Sequence, residues 1–264
     1  MPAIRPIQSK HNASLKQLRA TLLKPAAKPG GLVAIEGFHL LEEALKSSVA
    51  LKTVFVAAGR ESALDSLHIP SSVEILAVPA DILASAVTTE SPQPVAALLQ
   101  PPLWTWKNLL DQPGPLLIVL AGLQDPGNLG TILRSAEAFG ATGVILLPGT
   151  VSPWNPKATR ASAGSVFRLP IHHSTAELCF QHLDRAGIQS IAAMARDAQP
   201  LDKLRLTAPT AFVIGSEGPG LAPDIAARCR HRVTIPCPGP VESLNAAVAA
   251  SILLYQTAQA RQPQ

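Results

Sequence analysis

Three polar segments in the second half of the sequence carry the side chains best suited to chemistry, and each follows a short apolar run. They occupy residues 125–134, 215–221 and 235–245. The candidate functional side chains in them are Asn128, Arg134, Glu217, Ser243 and Asn245. Open α/β sheets gather their ligand sites beyond the carboxyl ends of strands. Three loops of one kind therefore predict a single composite site.

The first segment combines a glycine-rich turn with an arginine. Gly127 and Gly130 predict a tight turn before a helix, with Asn128 at the turn and Arg134 about one turn into the helix. A guanidinium offers a fixed fork of donors that matches phosphate. The alternative is that Arg134 pairs with Glu137 on the same helix. The segment lacks the Gly-x-Gly-x-x-Gly fingerprint, so a dinucleotide-dependent oxidoreductase is set aside.

The second and third segments supply an acid, a hydroxyl and an amide. Gly215 allows the backbone to approach a flat ligand closely, and Glu217 is the acid beside it; an ordinary turn with a solvated glutamate is the alternative. Ser243 is predicted to be the N-cap of a long helix, which is compatible with a functional role. Asn245 is then expected in the first turn, with its amide free to contact a ligand.

The elements that must position these segments alternate between strand and helix. From residue 116 onward, this alternation predicts a parallel sheet covered by helices. The strands are predicted at residues 116–121, 143–147, 190–193, 211–214 and 232–235. Residues 1–99 predict a smaller α/β domain, and the proline-rich stretch 100–115 predicts a linker. The second domain is therefore expected to span residues 116–264.

Composition places the chain among globular proteins. Of its 264 residues, 47% are hydrophobic and 15% are charged, which excludes a disordered chain. The longest unbroken apolar run, at 116–121, is far shorter than the roughly 20 residues that span a bilayer. The three cysteines are odd in number and lack metal-type spacing, so we expect no metal and a reduced, cytoplasmic setting.

Basic residues are concentrated in three places along the chain. Such clusters suit a phosphate backbone, and a solvated basic face is the alternative. Aromatic residues make up only 4% of the chain, so stacking on exposed rings is not expected to dominate an RNA contact. The clusters contain Arg5, Lys10, Lys16, Arg19, Lys24 and Lys28; Lys157, Arg160 and Arg168; and Arg228, Arg230 and Arg232.

Together, the three segments resemble the three motifs of the SpoU-type ribose 2′-O-methyltransferases, a branch of the knotted SPOUT class. Asn128 and Arg134 match the first motif, residues 214–221 the second, and Ile235-Pro with Ser243-Leu-Asn the third. One departure is Cys237, where relatives often carry methionine. The N-terminal half, with Ile35-Glu-Gly and the helix after it, resembles a ribosomal-protein-L30-like substrate-binding domain.

The resemblance implies a trefoil-knotted, parallel-sheet methyltransferase domain preceded by a small L30-like α/β domain. It also implies S-adenosylmethionine bound in the knot and a homodimer whose two chains complete each active site. When the family's cofactor-binding positions are transferred to this sequence, the resemblance implies that backbone at Gly215, Ile235 and Leu244 lines the cofactor. Neutral backbone donors and apolar walls suit an adenine ring.

The implied reaction is methylation of a ribose 2′-hydroxyl in RNA, with large-subunit ribosomal RNA preferred because two-domain relatives act mainly on it. Arg134 is expected to grip the phosphate and the hydroxyl oxygen, since a guanidinium stays protonated and is a poor base. Asn128 would orient Arg134, while Glu217, Ser243 and Asn245 hold the nucleotide and the arginine. The alternatives are a transfer-RNA 2′-O-methyltransferase and a noncatalytic RNA-binding or ribosome-assembly factor on the same fold.

Overall fold

The computed structural model describes residues 2–25, 31–87 and 91–262, and the chain divides into two compact units. Lys28, from the N-terminal basic cluster, lies outside the described residues. The first unit consists of Met1–Leu103 together with Ser152–Phe167, and the second of Trp104–Val151 together with Arg168–Gln264. The chain therefore crosses between the units three times.

The first unit is built on a five-stranded mixed sheet. Its strands are β1 (Ile4–Pro6), β2 (Val33–Glu36), β3 (Ala50–Ala57), β4 (Glu74–Val78) and β5 (Val95–Gln100). Its first helices are α1 (Ala13–Leu23), α2 (Phe38–Lys46) and α3 (Ala80–Ala86). The strand order is β1-β4-β3-β5-β2, in which β5 runs antiparallel to both of its neighbours. A sheet combined with helices agrees with the α/β character predicted for residues 1–99.

From residue 104 onward the chain alternates between helices and strands. These elements are α4 (Trp106–Leu110), β6 (Leu116–Leu120), α5 (Pro126–Ala138), β7 (Gly143–Leu146), α6 (Pro156–Ala161), α7 (Ser165–Arg168), β8 (Ile171–His173), α8 (Ala176–Arg185), β9 (Gln189–Ala193), β10 (Gln199–Pro200), β11 (Thr210–Ile214), α9 (Pro223–Arg228), β12 (His231–Thr234) and α10 (Ala246–Ala260). Helix α4 lies inside the predicted linker, and its Leu109 is fully buried.

The second unit contains a seven-stranded sheet in the order β10-β12-β9-β11-β6-β7-β8, and every pairing in it is parallel. The predicted parallel sheet is confirmed. All five residues of β6 and all five of β11 are buried, as expected for central strands covered on both faces. Strands β12, β9, β11 and β6 are consecutive neighbours, so the loops that follow them start side by side.

Helix α5 begins earlier than the glycines of its sequence predict. The Asp125 side chain caps it by accepting a 2.7 Å hydrogen bond from the Asn128 amide nitrogen, and Pro126 occupies the first turn. The predicted turn at Gly127 and Gly130 is therefore wrong, because both residues lie within the helix. Arg134 consequently lies about two turns from the helix start rather than one.

The cap of helix α10 also differs from the prediction. The Asn245 side-chain oxygen accepts hydrogen bonds from the backbone nitrogens of Ala247 at 2.9 Å and Val248 at 3.3 Å. Asn245 is thus the N-cap, and the prediction that Ser243 caps this helix is wrong. Placing Asn245 in the first turn with a free amide was wrong as well.

Residues 152–167 pack in the first unit, although they belong to the predicted second domain, 116–264. Trp154 and Phe167 are buried, with ring centroids 6.1 Å apart. Gly164 adopts a left-handed φ of +93°, and a β-carbon there would lie 2.8 Å from Cβ of Glu43 in α2. Ser152 donates to the carbonyl of Pro25 at 2.5 Å. This segment is therefore built into the N-terminal unit.

A fragment of residues 104–264 is expected to aggregate or to bind hydrophobic dye, because it retains residues 152–167 without the unit that buries them. Trp154→Ser should destabilise the full chain by about 3 kcal/mol yet improve the solubility of the fragment. Thermal unfolding of the full-chain variant and light scattering of the fragment test these opposite signs. A soluble, dye-free fragment would contradict the assignment of the segment.

Candidate active site

The three predicted segments meet in one hydrogen-bond network. The Glu217 carboxylate, in the loop after β11, accepts hydrogen bonds from the backbone nitrogens of Asp125 at 3.0 Å and Gln124 at 3.2 Å. It also accepts a 3.0 Å bond from the Asn128 side-chain amide nitrogen. The Asn128 side-chain oxygen in turn accepts from the Asn245 amide nitrogen at 3.0 Å. The network thus joins the loops after β6, β11 and β12.

The hydrogen bonds of this network run in one direction. Backbone nitrogens at the start of α10 donate to Asn245, which donates to Asn128, which donates to the Glu217 carboxylate. Aligned bonds of this kind polarise one another, and they end on an ionised acceptor. Asn128 therefore uses both atoms of its amide to hold loops together.

The Glu217 carboxyl group is kept ionised by its donors. Partial burial by itself raises its pKa, but the hydrogen bonds from Asn128, Asp125 and Gln124 together outweigh that effect, and the net pKa lies below its ordinary value of 4.5. The carboxylate is therefore an acceptor throughout the neutral pH range and has no proton to donate there.

Glu217→Gln is expected to lower stability by less than about 1 kcal/mol at neutral pH, because the carboxylate is exposed. A pKa lowered by folding contributes stability that is fully present above 4.5 and is lost as pH falls through the folded-state pKa. The difference in melting temperature between wild type and variant should thus be constant from pH 8 to about 5 and then shrink. A difference that grows on acidification would contradict this assignment.

Arg134 is placed differently from the other predicted residues. It is exposed on α5, and among the described residues its side chain makes no hydrogen bond or ion pair. Glu137, the predicted alternative partner, instead binds Arg168 through 2.5 and 3.0 Å contacts. The structure therefore leaves the Arg134 guanidinium available to a ligand, without a bond to Asn128.

A cavity of about 830 Å³ lies beside the network within the second unit. Six predicted site residues line it: Gly215, Glu217, Ile235, Ser243, Leu244 and Asn245. Apolar side chains of Met194, Ile214, Leu221 and Leu253 complete much of its wall. A cavity of this size, with apolar walls and a few polar groups, suits a small ligand of nucleoside size.

The loop after β9 also lines the cavity, although it was not among the predicted site segments. Arg196 and Asp197 lie there, and Arg196 forms a 3.1 Å ion pair with Glu242 from the loop after β12. The sequence did indicate this loop, because Arg196 follows an apolar strand as the other site segments do. The rule that ligand loops follow strand ends would have found it.

The predicted basic clusters contain residues of two kinds. Several members contact the protein itself: Arg5 pairs with Glu74, Arg19 donates to the Ser85 carbonyl, and Arg228 lies 4.8 Å from the Phe180 ring centre. Six further members are exposed, and their side chains make no such contact with the described residues, namely Lys10, Lys16, Lys24, Arg160, Arg230 and Arg232. The exposed members are the candidates for contact with a polyanion.

Two absences hold for the described ranges 2–25, 31–87 and 91–262. No group of three or more metal-ligating side chains is found there. No helix there is long and apolar enough to cross a membrane.

A parallel α/β unit with a ligand cavity at the carboxyl ends of its strands is typical of proteins that bind nucleotide-like ligands. Comparison with known families specifies this class. Residues 115–255 match the SpoU rRNA Methylase family, and residues 12–97 match the MRM3-like substrate binding domain. The chain belongs to the SpoU rRNA methylase family.

Similarity to individual relatives extends over nearly the whole chain. An uncharacterized tRNA/rRNA methyltransferase of Synechocystis sp. is 36% identical, with 96% of this chain and 93% of the relative covered. The 23S rRNA (guanosine(2553)-2′-O)-methyltransferase RlmP of Bacillus subtilis is 30% identical, with 96% and 98% covered. A crystal structure of an AdoMet-bound rRNA methyltransferase from Sinorhizobium meliloti superposes with a TM-score of 0.86 at 26% identity, covering 97% and 98%.

Proposed function

We propose that this protein transfers a methyl group from S-adenosylmethionine to a ribose 2′-hydroxyl in RNA, with large-subunit ribosomal RNA as the substrate. The observation that carries the proposal is the network of Glu217, Asn128 and Asn245, which joins three family motifs beside one cavity. The whole-length similarity to a 23S rRNA 2′-O-methyltransferase supports the choice of RNA.

The cavity fits S-adenosylmethionine in size and chemistry. Its volume of about 830 Å³ lies in the range of small-molecule sites, and its walls combine apolar side chains with glycine-rich backbone. Backbone at Gly215, Ile235 and Leu244 would hold the cofactor, and Ser243 offers a hydroxyl at the same wall. When bound, the cofactor supplies an electrophilic methyl group on a sulfonium.

The residues of this chain orient the substrate and bind its negatively charged phosphate. Arg134 binds the phosphate next to the target ribose and the 2′-hydroxyl oxygen. A guanidinium offers N–H donors and no acceptor, so Arg134 orients the hydroxyl and does not act as its base. A substrate phosphate oxygen held by the same guanidinium can share in the transfer of the hydroxyl proton. Asn128, Glu217 and Asn245 hold the three loops in fixed positions by their hydrogen bonds, so that the hydroxyl is aligned for attack.

Three further features belong to this proposal. The second unit is a trefoil-knotted SPOUT domain, as the family resemblance implies. The active protein is a homodimer, which is supported by exposed Val248 and Tyr255, two turns apart on one face of α10. With ribosomal RNA as substrate, its compartment is the cytoplasm.

The N-terminal unit is proposed to bind the RNA substrate. Its match to an MRM3-like substrate binding domain supports this role, as do the exposed Lys10, Lys16 and Lys24. We propose residues 1–99, together with 152–167, as the L30-like substrate domain, and residues 116–264 without that segment as the methyltransferase domain. The predicted linker, 100–115, carries α4, which packs in the second unit. Within this scheme, residues 152–167 carry Arg160 into the RNA-binding unit.

The test is transfer of label from S-adenosylmethionine to total RNA from cells that lack the protein, followed by mapping of 2′-O-methyl sites. Label in large-subunit ribosomal RNA supports the proposal. Label in transfer RNA would mean that the substrate is transfer RNA and that the proposed reaction is unchanged. Binding of RNA without label in any fraction, assembly intermediates included, would favour a noncatalytic assembly factor.

A further inference from the structure

Arg196 stands out among the charged groups of the cavity. Of the described residues that line it, Arg196 alone is basic, while Asp197, Glu217 and Glu242 are acidic. A cavity that presents three acids and one base is matched to a ligand with more positive than negative charge. The single guanidinium is the group in this cavity that can bind an anionic group of the ligand.

The ion pair between Arg196 and Glu242 is poorly suited to a stabilising role. Its side chains are 70% and 84% exposed, and pairs this open to water contribute little to folding. The start of the loop after β9 is also attached to the end of β12, because Thr234 donates to the Ala195 carbonyl at 3.2 Å. The contact therefore contributes little to the fold, and it lies at the wall of the cavity.

The geometry of the pair leaves most of the guanidinium available. In the structure one terminal nitrogen of Arg196 contacts one oxygen of Glu242 at 3.1 Å. A guanidinium has five N–H donors, so the remaining donors can engage a carboxylate while the ion pair stays intact. Glu242 thus contacts Arg196 at the cavity without occupying the rest of its donors.

We propose that Arg196 binds the α-carboxylate of the cofactor's amino-acid group and thereby makes the cavity selective for ligands that carry this group. The inference rests on the proposed function, because it takes S-adenosylmethionine as the ligand. The α-carboxylate is the only anionic group of that molecule, and Arg196 is the only basic side chain among the described lining residues.

Calorimetry with two nucleosides tests this assignment without any turnover. S-adenosylhomocysteine carries the amino-acid group, whereas 5′-methylthioadenosine lacks it and keeps the adenosine and the thioether. Arg196→Met is expected to weaken S-adenosylhomocysteine binding about 10-fold and to leave 5′-methylthioadenosine within about twofold of wild type. Arg196→Lys should restore part of the loss, and Arg185→Met, which changes an exposed arginine of α8, serves as the matched control.

The outcomes separate this inference from the proposed function. If Arg196→Met weakened the binding of both nucleosides equally, the arginine would be needed only for the structure of its loop, and the inference would be overturned. Unchanged S-adenosylhomocysteine binding with weaker RNA binding would overturn it too, because Arg196 would then serve a phosphate. Failure of both nucleosides to bind the wild-type protein would overturn the proposed function, and this inference with it.

Discussion

Arg134→Ala is expected to lower methyl transfer to RNA by about 10³-fold while S-adenosylhomocysteine binding stays within about twofold of wild type. The guanidinium is exposed on α5 and makes no hydrogen bond or ion pair with the described part of the protein. Its removal therefore leaves no buried group without a partner, and stability should change by less than about 0.5 kcal/mol. The loss should fall on the chemical step, measured by single-turnover transfer of labelled methyl groups.

Two further variants determine what Arg134 contributes. Arg134→Lys keeps the charge but loses the planar fork, so it should recover less than about a tenth of wild-type activity. Arg185→Ala removes an exposed arginine of α8, outside the cavity lining, and should leave transfer unchanged. Full turnover by Arg134→Ala, with normal binding of RNA and cofactor, would remove Arg134 from the reaction.

The architecture of the second unit could be predicted because its central strands are continuous apolar runs. Strands β6 and β11 are buried along their whole length, and such runs between helical patterns indicate a parallel sheet. The edge strands β8 and β10 were missed, since three and two residues are too few to show a periodicity. Their pairing depends on neighbours that lie far away in the sequence.

The site could be predicted as a set of loops but not as a set of contacts. Ser243 and Asn245 are both good N-cap residues, and local sequence does not choose between them. The folded structure selects Asn245, whose amide also reaches Asn128, 117 residues away. Likewise, Asp125 and Pro126 marked the true start of α5, but the glycines after them suggested a later one.

The location of residues 152–167 shows a different limit of prediction from sequence. Their apolar side chains predict burial, but nothing in the local pattern specifies which core receives them. The segment lies within the region that matches the methylase family, yet it packs in the N-terminal unit. The resulting substrate unit is discontinuous in sequence, so deletion of residues 1–99 alone removes only part of it.

Gly215→Ala is expected to weaken S-adenosylhomocysteine binding by at least about 100-fold, because the loop that carries Glu217 has no room for a side chain at this position. A β-carbon on Gly215 would lie 2.1 to 2.3 Å from backbone atoms of Gly220 and Leu221. These atoms cannot easily withdraw, since Ser216 and Gly220 exchange backbone hydrogen bonds of 3.1 and 3.2 Å. The overlap must therefore displace the loop, and with it one wall of the cavity.

Gly218→Ala is the matched control for Gly215→Ala, in the same loop and with the same added methyl group. No atom lies within 4 Å of a β-carbon at Gly218, so binding should stay within about twofold of wild type. Circular dichroism at 25 °C should show both variants folded, since the other strands and helices keep their packing. Calorimetry then compares the two glycines directly: equal affinities would mean that the close contact between Gly215 and Gly220 does not shape the cofactor site.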